Sequence, residues 1–179
     1  MDIPPDTKDW TWVLAERCPE CGFDCREPDR SSLAALAASV GEMWGQAIPA
    51  LADPATRPTP TTWSALEYAC HVRDVFALAS YRVHLMIDED DPAYPNWDQD
   101  ATAVESDYAS QDMTVVAGQL AETSRCFADD LAAVSADQWN RSGRRGDGAV
   151  FTIDSFARYL LHDPIHHLTD VTGRPWSQQ

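Results

Sequence analysis

Apolar residues recur at helical spacing in four stretches of the chain, and no segment shows convincing strand alternation. The first stretch carries Leu33, Leu36, Ala37, Val40, Met43 and Trp44 and predicts a helix from about Ser31 to Ile48. Asp29 or Arg30 lies near its start, and Pro49 cannot continue it. DPATRPTPTTW follows as a proline-rich connector. The second helix begins at Ser64, which with Glu67 three residues later forms a capping-box pattern, and it runs to about Ile87. The acidic run at 88–91, Pro92 and Pro95 end it. The third helix spans about Asp112 to Val134 through Val115, Val116, Leu120, Phe127 and Leu131. SADQWNRSGRRGDGAVF reads as a glycine-rich loop. The fourth helix starts near Thr152 or Asp154 and ends by Thr172, with Gly173 and Pro175 as stop signals.

Residues 88 to about 110, which include Tyr94, Trp97 and Tyr108, form a connection long enough to cross the length of a bundle. The expected fold is therefore all-α: a four-helix bundle, up-down-down-up, with an irregular N-terminal extension. The 179 residues suffice for one hydrophobic core, so a single domain over 1–179 is expected. Residues 1–29 form its proline- and cysteine-rich N-terminal segment and 30–172 its bundle.

Charge narrows the partners. A net charge of −16 without a basic stripe repels a phosphate backbone and an anionic membrane surface, so neither nucleic acid nor membrane is an expected partner. No apolar run approaches the ~20 residues that span a bilayer. MDIPPDTKDWTW lacks a basic segment followed by an apolar one, so no signal peptide is expected. Five cysteines, an odd number, fit reduced thiols and a cytoplasmic location.

RYLLHDPIHHLTDV, residues 158–171, concentrates three histidines and two aspartates in an otherwise apolar run. Two ligands four apart on one helix share a face, and this stretch offers two such pairs: His162 with His166, and Asp163 with His167. At ~100° per residue, Asp163 and His167 fall on or beside the stripe of Phe156, Leu160 and Val171. His162 and His166 fall on the more polar side with Ser155, Tyr159 and Thr169. On the second helix His71 lies at the edge of the stripe of Val75, Ala79 and Met86, whereas His84 reads as solvated. His71, Asp163 and His167 thus form a two-histidine, one-carboxylate candidate metal set with open positions, a donor chemistry that suits zinc, nickel or iron. Against this, Asp163-Pro164 is also the pattern of a helix restart, aspartate capping and proline at the first position. Glu67 could ligate, but capping is its simpler role; Asp170 and Asp74 could orient a ligand imidazole from behind.

CPECGFDC supplies Cys18, Cys21 and Cys25. Its CxxC is half of a zinc knuckle, and no second CxxC or nearby histidine pair completes it, so a buried turn or a disulfide formed on oxidation is expected. Cys70 and Cys126 read as small core residues. Arg144 and Arg145, just before the fourth helix, are candidates for binding a carboxylate or phosphate of a small ligand.

The combination of EYACHVRDV on the second helix with HDPIHHLTDV on the last resembles the DinB/YfiT-like superfamily. That group includes bacillithiol transferase-like proteins and the mycothiol-dependent maleylpyruvate isomerase metal-binding domain. The resemblance covers roughly residues 30–172, and DWTWVLAERCPECGFD looks like the opening of an actinobacterial branch. It implies metal ligation by His71 and His167, with Asp163 standing where relatives carry histidine or glutamate. It implies a divalent metal, zinc or nickel, that lowers the pKa of an external low-molecular-weight thiol such as mycothiol. The implied partners are that thiol and a small-molecule electrophile, with Arg144 and Arg145 as cofactor-carboxylate contacts and a homodimer as the expected assembly. The leading expectation is a metal-dependent thiol S-transferase or isomerase. A second is a non-catalytic binding bundle whose metal site has decayed, motivated by the shorter aspartate at 163. A third is metal-assisted hydrolysis through bound water.

Overall fold

The computed structural model describes residue 3 and residues 8–179. Four long helices form a bundle: α1 (Leu33–Ala47), α2 (Ala65–Asp88), α4 (Met113–Ala133) and α5 (Ile153–Thr172). Between α2 and α4 the chain adds a two-residue strand β1 (Ala93–Tyr94) and a short helix α3 (Gln99–Glu105). Before α5 it forms a hairpin, β2 (Ser142–Arg145) with β3 (Val150–Thr152).

Side-chain contacts fix the directions. Arg30, entering α1, pairs with Asp154 in the first turn of α5 at 3.0 Å, so these two helices run the same way. Arg73 and His84 of α2 reach Gln119 and Asp130 of α4 in the same order, so α2 and α4 are parallel. His71 early in α2 meets Asp163 in the second half of α5, so those helices are antiparallel. The bundle is up-down-down-up, with the 89–112 connection returning the chain along its length.

Helix ends are set locally. Ser64 and Glu67 form the expected reciprocal cap, and Thr152 with Ser155 forms a second one at α5. Gly173 closes α5 at φ 68°, a left-handed position that favours glycine. Pro164 neither breaks nor restarts α5, which is continuous through it; the helix-restart reading of Asp163-Pro164 does not hold. The Pro164 carbonyl instead accepts a 3.0 Å hydrogen bond from Nε1 of Trp44, a fully buried ring of α1.

The glycine-rich loop expected at 135–151 is instead ordered as the hairpin, and β1 joins β2 in parallel to complete a three-stranded sheet. Hydrophobic alternation could not announce it. The inward residue of β2 is Gly143, where a Cβ would lie 2.8 Å from both Met86 Cγ and Tyr94 Cε1. Two apolar assignments also fail: Val115 is 56% exposed and Cys126 is exposed on α4 rather than packed.

The N-terminal segment lies against α5. Arg158 donates to the carbonyls of Cys25 and Pro28 at 2.8 Å each, and Trp176 N–H donates to Cys21 O at 2.7 Å. Among the described residues, no helix is long and apolar enough to cross a membrane.

Helix α1 packs closely against α4 at Gly41. A Cβ there would lie 1.9 Å from Ser124 Oγ and 2.6 Å from Ser124 Cβ. Gly41→Ala is expected to cost about 1–3 kcal/mol by overpacking, outweighing the ~1 kcal/mol that alanine gains in helix propensity. Adding Ser124→Gly removes the obstructing atoms. Urea unfolding of both single variants and the double variant checks this; the clash is disproved if Gly41→Ala unfolds at a higher midpoint than the native chain.

Candidate metal centre

Helix α5 turns Asp163 and His167 toward the start of α2, where His71 is fully buried. The three side chains bring one ligand atom each to within 4.8 Å of one another. His71 Nε2 lies 3.1 and 3.4 Å from the two Asp163 carboxylate oxygens. His167 Nε2 lies 3.8 Å from Asp163 Oδ2, while its Nδ1 is 2.9 Å from Asp170 Oδ2. Asp170 is an acceptor when ionised, so it favours the proton on Nδ1 and turns the Nε2 lone pair of His167 toward Asp163. Asp74, the other acid considered for such a role, is engaged with Arg73 and Tyr108 instead. Glu67 is engaged by Arg57 and by its own cap.

Aromatic rings pack around the imidazoles. Trp97 from the long connection stacks on His71, 5.3 Å between centroids and 8° from parallel, and Trp63 covers another side at 5.2 Å. Tyr68 packs on His167 at 4.8 Å. Burial and the charges of Asp170, Asp163 and Glu67 push its phenol up to about 12, so it remains neutral. Burial acts to raise Asp163, but the imidazoles of His71 and His167 outweigh it and hold the carboxyl below the ordinary range. An ionised carboxylate and two nitrogen donors are thereby gathered in one place.

These donors fit a divalent cation. His71 is fully buried, and its Nε2 faces the Asp163 carboxylate. A cation between them would take lone pairs from both. Two imidazoles and one carboxylate leave coordination positions open. Asp163 and His167 border a cavity of about 620 Å³ whose other walls include Trp97, Arg82, Arg145 and Tyr159. That volume lies within the usual range for small-molecule sites.

The two candidate arginines differ. Arg145 lines the cavity with its side chain 13% exposed; Asp147 holds the guanidinium on two sides and Tyr159 Oη accepts from it at 2.9 Å. Burial acts against its charge, but Asp147 and Tyr159 keep it firmly protonated. Arg144 points away, bound to Asp91 at 2.6 Å, and does not line the cavity. Sequence reasoning missed Arg82, which is buried and donates to Pro95 O at 2.9 Å, and the stacking role of Trp97. Each sits in a context, an apolar helix or an irregular connection, where only the folded chain shows what it faces. His84 is exposed and paired with Asp130. The other histidine pair of α5 is not on an open polar side: His162 and His166 are 4% and 8% exposed, covered by residues 10–21. A helical projection of α5 could not include that covering segment.

Fold and site together define a four-helix bundle with an open nitrogen–oxygen donor set at the junction of its second and last helices. The chain belongs to the DinB superfamily, whose family model matches residues 52–171. Among solved structures it is similar to one described as "YfiT from Bacillus subtilis is a probable metal-dependent hydrolase with an unusual four-helix bundle topology". The two share 20% identity over 83% of this chain and 90% of that one, with a TM-score of 0.72, a likeness of fold. A comparison with curated proteins finds no match.

Asp170→Asn is expected to weaken divalent-metal binding at His71, Asp163 and His167 by about 10–100-fold, the usual effect of removing an orienting carboxylate. Competition against a chromophoric chelator measures it. Unchanged affinity would mean that Asp170 does not set the His167 tautomer.

Proposed function

We propose that the chain is a divalent-metal-dependent enzyme in which His71, Asp163 and His167 hold the ion and an external low-molecular-weight thiol of the mycothiol type is the nucleophile, in S-transfer or isomerisation. One observation carries the reading: a two-histidine, one-carboxylate set with its open side on a 620 Å³ cavity. A cation bound there would supply Lewis-acid stabilisation of the anionic form of a thiol or water, producing a nucleophile at neutral pH.

The remaining roles belong to side chains. Asp163 contributes the negative charge of the donor set, and Asp170 fixes the orientation of His167. Trp97 and Trp63 exclude water from His71, which strengthens electrostatic interactions at that end of the site. Arg145, fixed by Asp147 and Tyr159, is the cavity cation suited to a carboxylate on the thiol or the electrophile. Arg144 has no part in this reading, since Asp91 engages it outside the cavity. The reading places the enzyme in the cytoplasm, where low-molecular-weight thiols are kept reduced.

Hydrolysis through an activated water is the second reading, favoured by the description of the YfiT structure as a probable metal-dependent hydrolase. The two separate on one requirement. With zinc or nickel supplied, turnover of an electrophilic substrate is expected only when thiol is added, and to fall by at least ~100-fold in His167→Ala, in line with losing a metal ligand. Turnover without thiol that a chelator abolishes selects hydrolysis. Metal analysis of protein purified without a histidine tag is expected to show one equivalent fewer in His71→Ala and His167→Ala than in the native chain. Equal metal content in all three proteins would overturn both readings and leave a binding bundle.

A further inference from the structure

Helix α5 presents a second polar ridge, and the N-terminal segment brings two sulfur atoms to it. Cys18 and Cys21 are fully buried, and with His162 and His166 they offer four ligand atoms that all lie within 4.8 Å of one another. Cys18 Sγ is 3.7 Å from Nδ1 of His166. Nε2 of His162 is buried with no hydrogen-bond partner among the described residues. A buried imidazole nitrogen without a partner is costly, and a bound cation would satisfy it.

The backbone around the sulfurs has the form of a metal knuckle. Gly22 N–H donates to Cys18 O and Cys18 N–H to Phe23 O, both at 2.9 Å, while Phe23 N–H approaches Cys21 Sγ at 3.5 Å. Gly22 sits at φ 80°, where residues with a Cβ are strained, although space around it is open. The loop therefore needs glycine for its backbone, not for room. Nε2 of His166 lies 3.5 Å from Glu20 Oε2, a carboxylate placed to hold a proton on that nitrogen and leave Nδ1 as the donor.

We propose that Cys18, Cys21, His162 and His166 form a structural zinc site that clips the N-terminal segment onto α5. Cys-x2-Cys and His-x3-His are the ligand spacings of closed zinc centres, and two thiolates with two neutral imidazoles cancel the charge of Zn²⁺. Zn–S of ~2.3 Å and Zn–N of ~2.0 Å imply tetrahedral edges of roughly 3.3–3.8 Å. The four atoms need to draw in by about 1.5 Å at most from their 4.8 Å spread. All four positions are filled by protein, so the role is structural and no open position remains for substrate. The clip also places Trp10, whose ring lies 5.5 Å from His162 and 5.0 Å from His166 and lines the 620 Å³ cavity. It thereby fixes one wall of the neighbouring site without sharing a ligand with it, and it does not depend on the function proposed above.

Cobalt substitution of the full chain, purified without a tag, tests this. Thiolate-to-cobalt charge-transfer absorption is expected in the native protein and in His71→Ala and His167→Ala. It is lost, together with one equivalent of zinc per chain, in Cys18→Ser and Cys21→Ser. Cobalt bound without that absorption, or absorption unchanged in Cys21→Ser, overturns the proposal while leaving the nitrogen–oxygen centre untouched. Should the serine variants fail to fold, alkylation of the native chain decides. Zinc is expected to protect Cys18 and Cys21 until a chelator is added, with exposed Cys126 reacting throughout as the internal standard. Reactivity of Cys18 and Cys21 that chelation does not change, or their recovery as a disulfide, rejects the site.

Discussion

Helix α5 carries four polar side chains inward, His162 and His166 buried and Asp163 and His167 partly buried, and a buried polar group must be met by a partner. The rest of the architecture answers that constraint. Successive residues of a helix are turned by ~100°, so the two i, i+4 pairs face different directions. Asp163 and His167 face α2, which supplies His71. His162 and His166 face the N-terminal segment, which supplies Trp10 and Cys18. Cover beyond the four bundle helices comes from the long connection, whose Trp97 stacks on His71, and from the N-terminal extension, whose Trp10 and Cys18 lie against His162 and His166.

The connection between α2 and α4 does more than reverse the chain. Its Trp97 stacks on His71 and is itself fixed by an Nε1–H bond to Thr102 Oγ1 at 2.8 Å, in the middle of the short helix α3. The small sheet anchors the other end of the connection, where Ala93 and Tyr94 pair with Arg144 and Arg145. That pairing carries Arg145 to the cavity wall while Asp91 retains Arg144 outside it. Alternation of side chains along a strand thus separates two adjacent arginines that look equivalent in the sequence.

Much of the scaffold was legible in the sequence because its signals are local. Ser64 with Glu67, Gly173, and the apolar spacing of α1, α2 and α5 each depend on residues within a turn or two. The meeting of His71 with Asp163 and His167 was legible for a related reason: both helices have a defined apolar stripe, and polar residues at its edge must meet where the stripes meet. The rest was illegible for reasons that can also be named. Strand β2 places glycine at its buried position, so it carries no hydrophobic alternation. Val115 lies in the first turn of α4, where an apolar residue can face solvent at little cost. The cover over His162 and His166 comes from irregular chain, to which no periodicity applies.

The CxxC turn shows most clearly what one-dimensional reading omits. Judged along the chain, Cys18 and Cys21 lack a second pair of ligands, because the spacing rules for zinc modules assume that both halves lie close in sequence. In a bundle that condition can be met by any helix the segment packs on, provided it offers two histidines one turn apart. Helix α5 offers two such pairs of donors, and their chemistry sorts them. Both pairs border the cavity, but the set with a carboxylate has three donors and leaves coordination positions open, whereas two sulfurs and two imidazoles make up four donors. Hard and borderline donors with open positions suit reactions at a cation, whereas thiolates in a closed tetrahedron suit holding chain segments together. One helix can therefore serve chemistry on one face and folding on the next, separated by no more than the turn between adjacent residues.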